Sequence, residues 1–168
     1  MILQRTIQNE VSTVGVGLHT GEKVKIILCP APEGHGVVFQ RDDITGQPKI
    51  TVNPQAVTET KLCSTLGTKD FSIATVEHLM SALSATGVDN ILVRLDGSEI
   101  PIMDGSAISF IHLIKSAVII EQTKEKDQAS RQNEEHRKRL RELENKDAEV
   151  AQKLQLKAID KLGVFLKK

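Results

Sequence analysis

Glu77 and His78 are neighbours in the stretch Ser72-Ile73-Ala74-Thr75-Val76-Glu77-His78-Leu79-Met80, on the opening turns of a segment with helical periodicity. A glutamate beside a histidine on a helix suits metal-assisted hydrolysis. The imidazole can hold an ion while the carboxylate takes a proton from bound water. One imidazole cannot hold a catalytic zinc by itself, so the chemistry depends on where further ligands come from.

The elements that must position this pair follow from the residue pattern. Val76, Leu79, Met80 and Leu83 recur at helical spacing and predict a helix from Ser72, its expected N-cap, to Gly87, its expected stop. With that stripe against a core, His78 points away on a face shared with Ala74, Ser81, Ala82 and Ala85, and Glu77 lies on the flank. Solvated helix faces usually carry Lys, Glu and Arg. This small-residue face suggests a covering surface, with a surface histidine on an alanine-rich helix as the competing reading. A second helix is expected after Asp104-Gly105-Ser106, with Ser106 as cap and Ala107, Phe110, Ile111 and Ile114 turned inward. Strand patterns occur at Val24 to Cys29, Val37 to Phe39, Ile50 to Val52, Leu62 to Leu66 and Ile91 to Asp96. Strands with two helices predict an α+β fold, a two-layer sandwich with helices on one face of a β-sheet.

The remaining reactive side chains are less informative. His19 lies in Thr13-Val14-Gly15-Val16-Gly17-Leu18-His19-Thr20-Gly21, read as a glycine-rich turn with neither Walker nor dinucleotide spacing. His35 between two glycines reads as a turn residue, and His112 and His136 have no identifiable partner. Cys29 and Cys63 fit no metal spacing and read as buried small hydrophobes. Lys plus Arg and Asp plus Glu balance at 22 each, which argues against nucleic acid as partner. Four Phe and no Tyr or Trp leave almost no stacking platform for bases. No apolar run approaches the ~20 residues of a membrane span, and a cytoplasmic protein is the default expectation.

Composition changes at Gln122. Residues 1–122 carry the strand and helix patterns, whereas 123–168 form a charged tail expected to be a long helix. Glu134–Lys138, Glu135–Arg139 and Glu142–Lys146 are spaced for i,i+4 pairs, each contributing about 0.2–0.5 kcal/mol. A heptad seam fails, because Asp147, Lys157 and Lys161 fall at core positions.

Five segments in order carry a resemblance: Thr13 to Gly21, Leu62-Cys63-Ser64-Thr65, Ser72 to Leu79, Gly87-Val-Asp-Asn-Ile91, and Glu99-Ile-Pro-Ile-Met-Asp-Gly-Ser-Ala107. Together they resemble the N-terminal half of the zinc-dependent UDP-3-O-acyl-N-acetylglucosamine deacetylases (LpxC) of lipid A biosynthesis, up to about Gln122. The resemblance implies a Zn2+ ligand at His78 and the general base at Glu77. It also implies Leu62 and Cys63 on a strand bordering the active site, and Leu18 and His19 near the substrate cleft. Lys61 stands where that family usually has an apolar residue. The other zinc ligands would come from the family's C-terminal half, which nothing after Gln122 resembles.

The expected function is therefore hydrolytic deacetylation of UDP-3-O-acyl-N-acetylglucosamine by a truncated or interrupted form, inactive without a second domain. The alternatives are a non-catalytic interaction module that binds a helical partner through the tail, or an artificial fusion of unrelated sequences.

Overall fold

The computed structural model describes residues 2–126 together with Glu135 and Lys138. Most of the 123–168 tail, with its expected i,i+4 pairs and long helix, lies outside the described residues. Residues Met1–Lys126 form one compact unit, an α+β arrangement of two helices and three sheets.

The strands are β1 (Leu3–Ile7), β2 (Val11–Val16), β3 (Lys23–Pro30), β4 (Val37–Arg41), β5 (Lys49–Thr51), β6 (Val57–Glu59), β7 (Thr65–Gly67), β8 (Ser72–Ile73), β9 (Ile91–Leu95) and β10 (Ile119–Glu125). The helices are α1 (Glu77–Thr86) and α2 (Ile108–Ser116). The main sheet has the order β2-β3-β9-β4-β5, antiparallel except where β4 runs parallel to β9. Strands β6-β7-β8 form a small antiparallel sheet, and β1 pairs with β10. Alternation sends Val24, Ile26 and Leu28 of β3 and Ile91, Val93 and Leu95 of β9 to one face. They share a core with Leu79 and Leu83 of α1 and with Phe110 and Ile114 of α2. With so few aromatics, Ile, Leu and Val carry most of this burial, each worth about 1.5–3 kcal/mol when fully removed from water.

Several expectations change. Ser72 is not a helix cap: Ser72 and Ile73 pair with Gly67 and Leu66 as β8, and α1 starts five residues later. The break is at Thr75, whose φ of 59° is left-handed and cannot continue a helix. Val76 occupies the cap position without a side-chain bond. At the other end Gly87 is the expected stop, left-handed at φ 75°, with its N–H donating to Leu83 O at 2.9 Å. The second helix begins at Ile108 rather than next to Ser106, although Ser106 Oγ accepts the Ile108 N–H at 3.1 Å.

Three further differences concern strands. The segment read as a glycine-rich turn is strand β2 as far as Val16, and only residues 17–22 turn. The strand expected from Leu62 begins at Thr65, and Leu62 stands 85% exposed. Strand β10 runs through Gln122, where composition changes, to Glu125. Beyond it Lys126 is buried, its Nζ 3.0 Å from Asp89 Oδ2 and donating to Gly87 O at 3.2 Å.

Candidate functional site

Glu77 is the first residue of α1 and sits at its N-terminus, where the helix dipole favours a carboxylate. Its Oε1 accepts the Ser64 backbone N–H. Ser64 O in turn accepts the Val76 N–H at 3.3 Å, so the 62–64 segment is stitched to the start of the helix. The other oxygen, Oε2, is buried without a hydrogen-bond partner among the described residues. An unsatisfied buried acceptor costs about 1–3 kcal/mol, and more when charged. Such a cost points to something that binds there, a water proton or an ion.

Glu77 and His78, both half-buried, line a cavity of about 330 Å3 with Ser81, Gly105, Ser106 and Ala107. Its far wall is a strained loop. Met103 and Gly105 have φ of 56° and 78°, and Asp104 accepts Ser106 N–H at 3.2 Å and Ser106 Oγ at 3.0 Å. The Ser106 amide, with the Ser109 hydroxyl next in weight, holds the Asp104 carboxyl below its ordinary range. On the open face of α1, Ser81 and Ala85 are exposed as the wheel requires. Ala82 is not there. It is fully buried in the core, because its position falls within the edge of the broad apolar arc.

A second cavity, of about 370 Å3, gathers His19, Leu62 and Cys63 with Thr20, Lys61, Ala74 and Glu99. Leu18 is 58% exposed and does not line either cavity. Five of the six residues singled out from the sequence are thus divided, Glu77 and His78 in one hollow and His19, Leu62 and Cys63 in the other. The 62–64 and 74–77 segments run from one to the other. Cys63 is part-exposed, against its reading as a buried residue, because it lies in a bend rather than a strand. Cys29 is buried. Burial, with a hydrogen bond to Glu10 Oε2 at 3.4 Å, pushes its thiol up to about 11.

The pattern of types and spacing missed Ser64, Thr75 and Glu99. Ser64 acts through its backbone, which leaves no side-chain signal. Glu99 is a single acid in Gly97-Ser98-Glu99-Ile100-Pro101 and looks like a loop residue. Yet it is 1% exposed and accepts from His19 N at 3.1 Å, Thr20 N at 2.9 Å and Thr75 Oγ1 at 2.7 Å.

As donors, the Glu77 carboxylate with its bare oxygen and the adjacent His78 imidazole suit a zinc hydrolase. In number they fall short. Among the described residues no group of three or more His, Cys, Asp or Glu side chains is arranged to hold a metal, whereas a catalytic zinc generally has three protein ligands. No helix among them is long and apolar enough to cross a membrane.

A family model described as LpxC, UDP-3-O-acyl N-acetylglycosamine deacetylase, matches residues 4–157. That match continues past Gln122, beyond the segments that carry the resemblance in the sequence. A UDP-3-O-acyl-N-acetylglucosamine deacetylase of Stenotrophomonas maltophilia (strain K279a) is 52% identical over 122 residues, 73% of this chain and 40% of that protein. Proteins of the same name from Xanthomonas oryzae pv. oryzae (strain PXO99A) and Xanthomonas campestris pv. campestris (strain B100) are 50% and 49% identical over 126 residues, 75% of this chain and 42% of each. The chain therefore spans about two fifths of the length of the curated relatives it matches. With most of its length matched and half its residues shared over the unit that carries Glu77 and His78, the chain belongs to the LpxC family.

Proposed function

We propose that this chain supplies the base and one metal ligand for hydrolytic deacetylation of UDP-3-O-acyl-N-acetylglucosamine, and that turnover requires ligands from outside residues 2–126. The observation that carries this reading is the bare, buried Oε2 of Glu77 beside His78 at the head of α1. Glu77 is the general base. Ser64 N–H fixes Oε1, which leaves Oε2 to take a proton from water and pass it to the departing amine. His78 is the zinc ligand contributed by this unit, and a zinc ion bound there would polarise the acetamide carbonyl and acidify its water. His19, Leu62 and Cys63 line the adjoining hollow as substrate contacts, and Leu18 stands beside them at the surface. The unit is a two-layer sandwich whose open α1 face, with His78, Ser81 and Ala85, receives the second domain that holds the remaining ligands. Cytoplasmic lipid A biosynthesis is the setting that follows.

The test is a deacetylation assay of the full chain with zinc, alone and with a separately supplied C-terminal half of a relative. The chain alone is expected to show no turnover and to release zinc on dialysis. The mixture is expected to turn over, and Glu77→Gln to lower its rate about 10²–10⁴-fold. Equimolar zinc held by the chain alone and lost on His78→Ala would overturn the requirement for ligands from a second domain. An active mixture indifferent to Glu77→Gln would overturn the base assignment.

A further inference from the structure

Glu99 lines the hollow that holds His19 and also bonds to Thr75, two residues before Glu77. On one side its carboxylate accepts the backbone N–H groups of His19 and Thr20, at 3.1 and 2.9 Å, which hold the turn after β2. On the other it accepts the Thr75 hydroxyl at 2.7 Å. The space for it is made by Gly17, where a Cβ would lie 2.5 Å from Glu99 Oε2 and also collide with Thr20 Oγ1. Around it the backbone is clamped as well: Ala74 N–H donates to Ser98 O at 2.9 Å and Ile100 N–H to Ala74 O at 3.0 Å.

Thr75 is the residue this network must restrain. A β-branched side chain at φ 59° is a genuine outlier, held there only because its surroundings over-determine it. Its dihedrals set the direction in which the chain leaves β8 and enters α1, two residues before Glu77. If Thr75 relaxed to negative φ, the first turn of α1 would re-aim, and Glu77 and His78 with it. The clamp at Ala74 holds the chain up to this point, and the hydroxyl bond to Glu99 holds the strained residue itself.

We propose that Glu99 is a positioning residue, one buried carboxylate that locks the left-handed Thr75 and the His19–Thr20 turn together and so aims the Glu77–His78 pair. The proposal rests on that pair being the reactive one, but the geometric coupling can be read without turnover. The experiment is side-chain and amide NMR of the full chain, comparing wild type with Glu99→Gln, Thr75→Val and Thr75→Ser. Thr75→Val keeps shape and branching but removes the donor; Thr75→Ser keeps the donor. Thr75→Val should displace the His78 ring signals by more than a linewidth, and Thr75→Ser should leave them at wild-type positions. Glu99→Gln should move the His78 ring and the His19 and Thr20 amides together. Loss of stability alone would lower the melting temperature without moving the ring signals of the folded protein. A folded Thr75→Val with the His78 ring unmoved, or a Thr75→Ser shifted as far as Thr75→Val, overturns the proposal. A deacetylation assay indifferent to Glu77→Gln would instead remove the function assigned to the pair and leave the coupling intact.

Discussion

Glu99 illustrates how burial and hydrogen bonding compete at a single carboxylate. Burial pushes its pKa up and is the largest single influence. The Thr20 amide, the Thr75 hydroxyl and the His19 amide together outweigh it and hold the group below its ordinary value of 4.5. A pKa lower in the folded than in the unfolded chain means that the unfolded chain binds the proton first. The associated stability is present above pH 4.5 and is lost as pH falls through the folded value. Urea unfolding of Glu99→Gln should therefore show lower stability at neutral pH and a shallower decline below pH 4.5 than wild type. The cysteines give a second test at this scale. With Cys29 buried and its thiol at about 11, and Cys63 part-exposed, iodoacetamide at pH 8 should modify one thiol per native chain. Cys63→Ser should abolish that reaction, and mass spectrometry would show it. Glu77 and His78 were legible in the sequence because both the types and the adjacency carry chemistry. Glu99 was not, since an isolated acid has no pattern and its donors are the Thr75 hydroxyl and backbone groups 79 and 80 residues away.

The helices and strands were legible where side-chain period and stop residue agreed. Strands β3 and β9 alternate cleanly, and α1 ends at Gly87 as the sequence requires. Replacing Gly87 by Ala puts a Cβ on a residue at φ 75° and should cost about 1 kcal/mol or more, read as a lower melting temperature. The converse case is Val118, an exposed β-branched residue at φ 61° between α2 and β10. Asn tolerates that conformation, so Val118→Asn should stabilise the chain by about 1 kcal/mol in urea unfolding. The cap of α1 lies four residues beyond Ser72, for a tertiary reason. Ser72 has the chemistry of a cap, but β7 offers its backbone a ladder partner. Arg41 reinforces that choice by donating from Nη1 to Ser72 O at 2.9 Å. Both are tertiary partners, and no local propensity anticipates them.

At the scale of the whole unit, the first and last strands among the described residues, β1 and β10, pair and close it, and Lys126 completes the closure. Its side chain is 1% exposed, and its ammonium bridges Asp89 and the carbonyl of Gly87 at the end of α1. Removing it strands the Asp89 carboxylate, which also accepts the Arg5 N–H at 2.8 Å. Lys126→Ala should cost about 3 kcal/mol in urea unfolding of the full chain. Such a result would place the end of the folded unit beyond Gln122. Composition alone sets the break at Gln122 because β10 is largely polar, with only Ile119 and Gln122 half-buried. Backbone pairing, which holds that strand to β1, leaves little trace in side-chain type. What the sequence by itself determined was the α+β class, the family, and the pairing of a carboxylate with an imidazole at the head of a helix. These are written in local period, motif and adjacency. Only the tertiary structure decided that one oxygen of Glu77 is left bare and that the candidate residues divide between two hollows. It alone links the His19–Thr20 turn to Thr75 through Glu99, because each of these depends on groups brought together from distant parts of the chain.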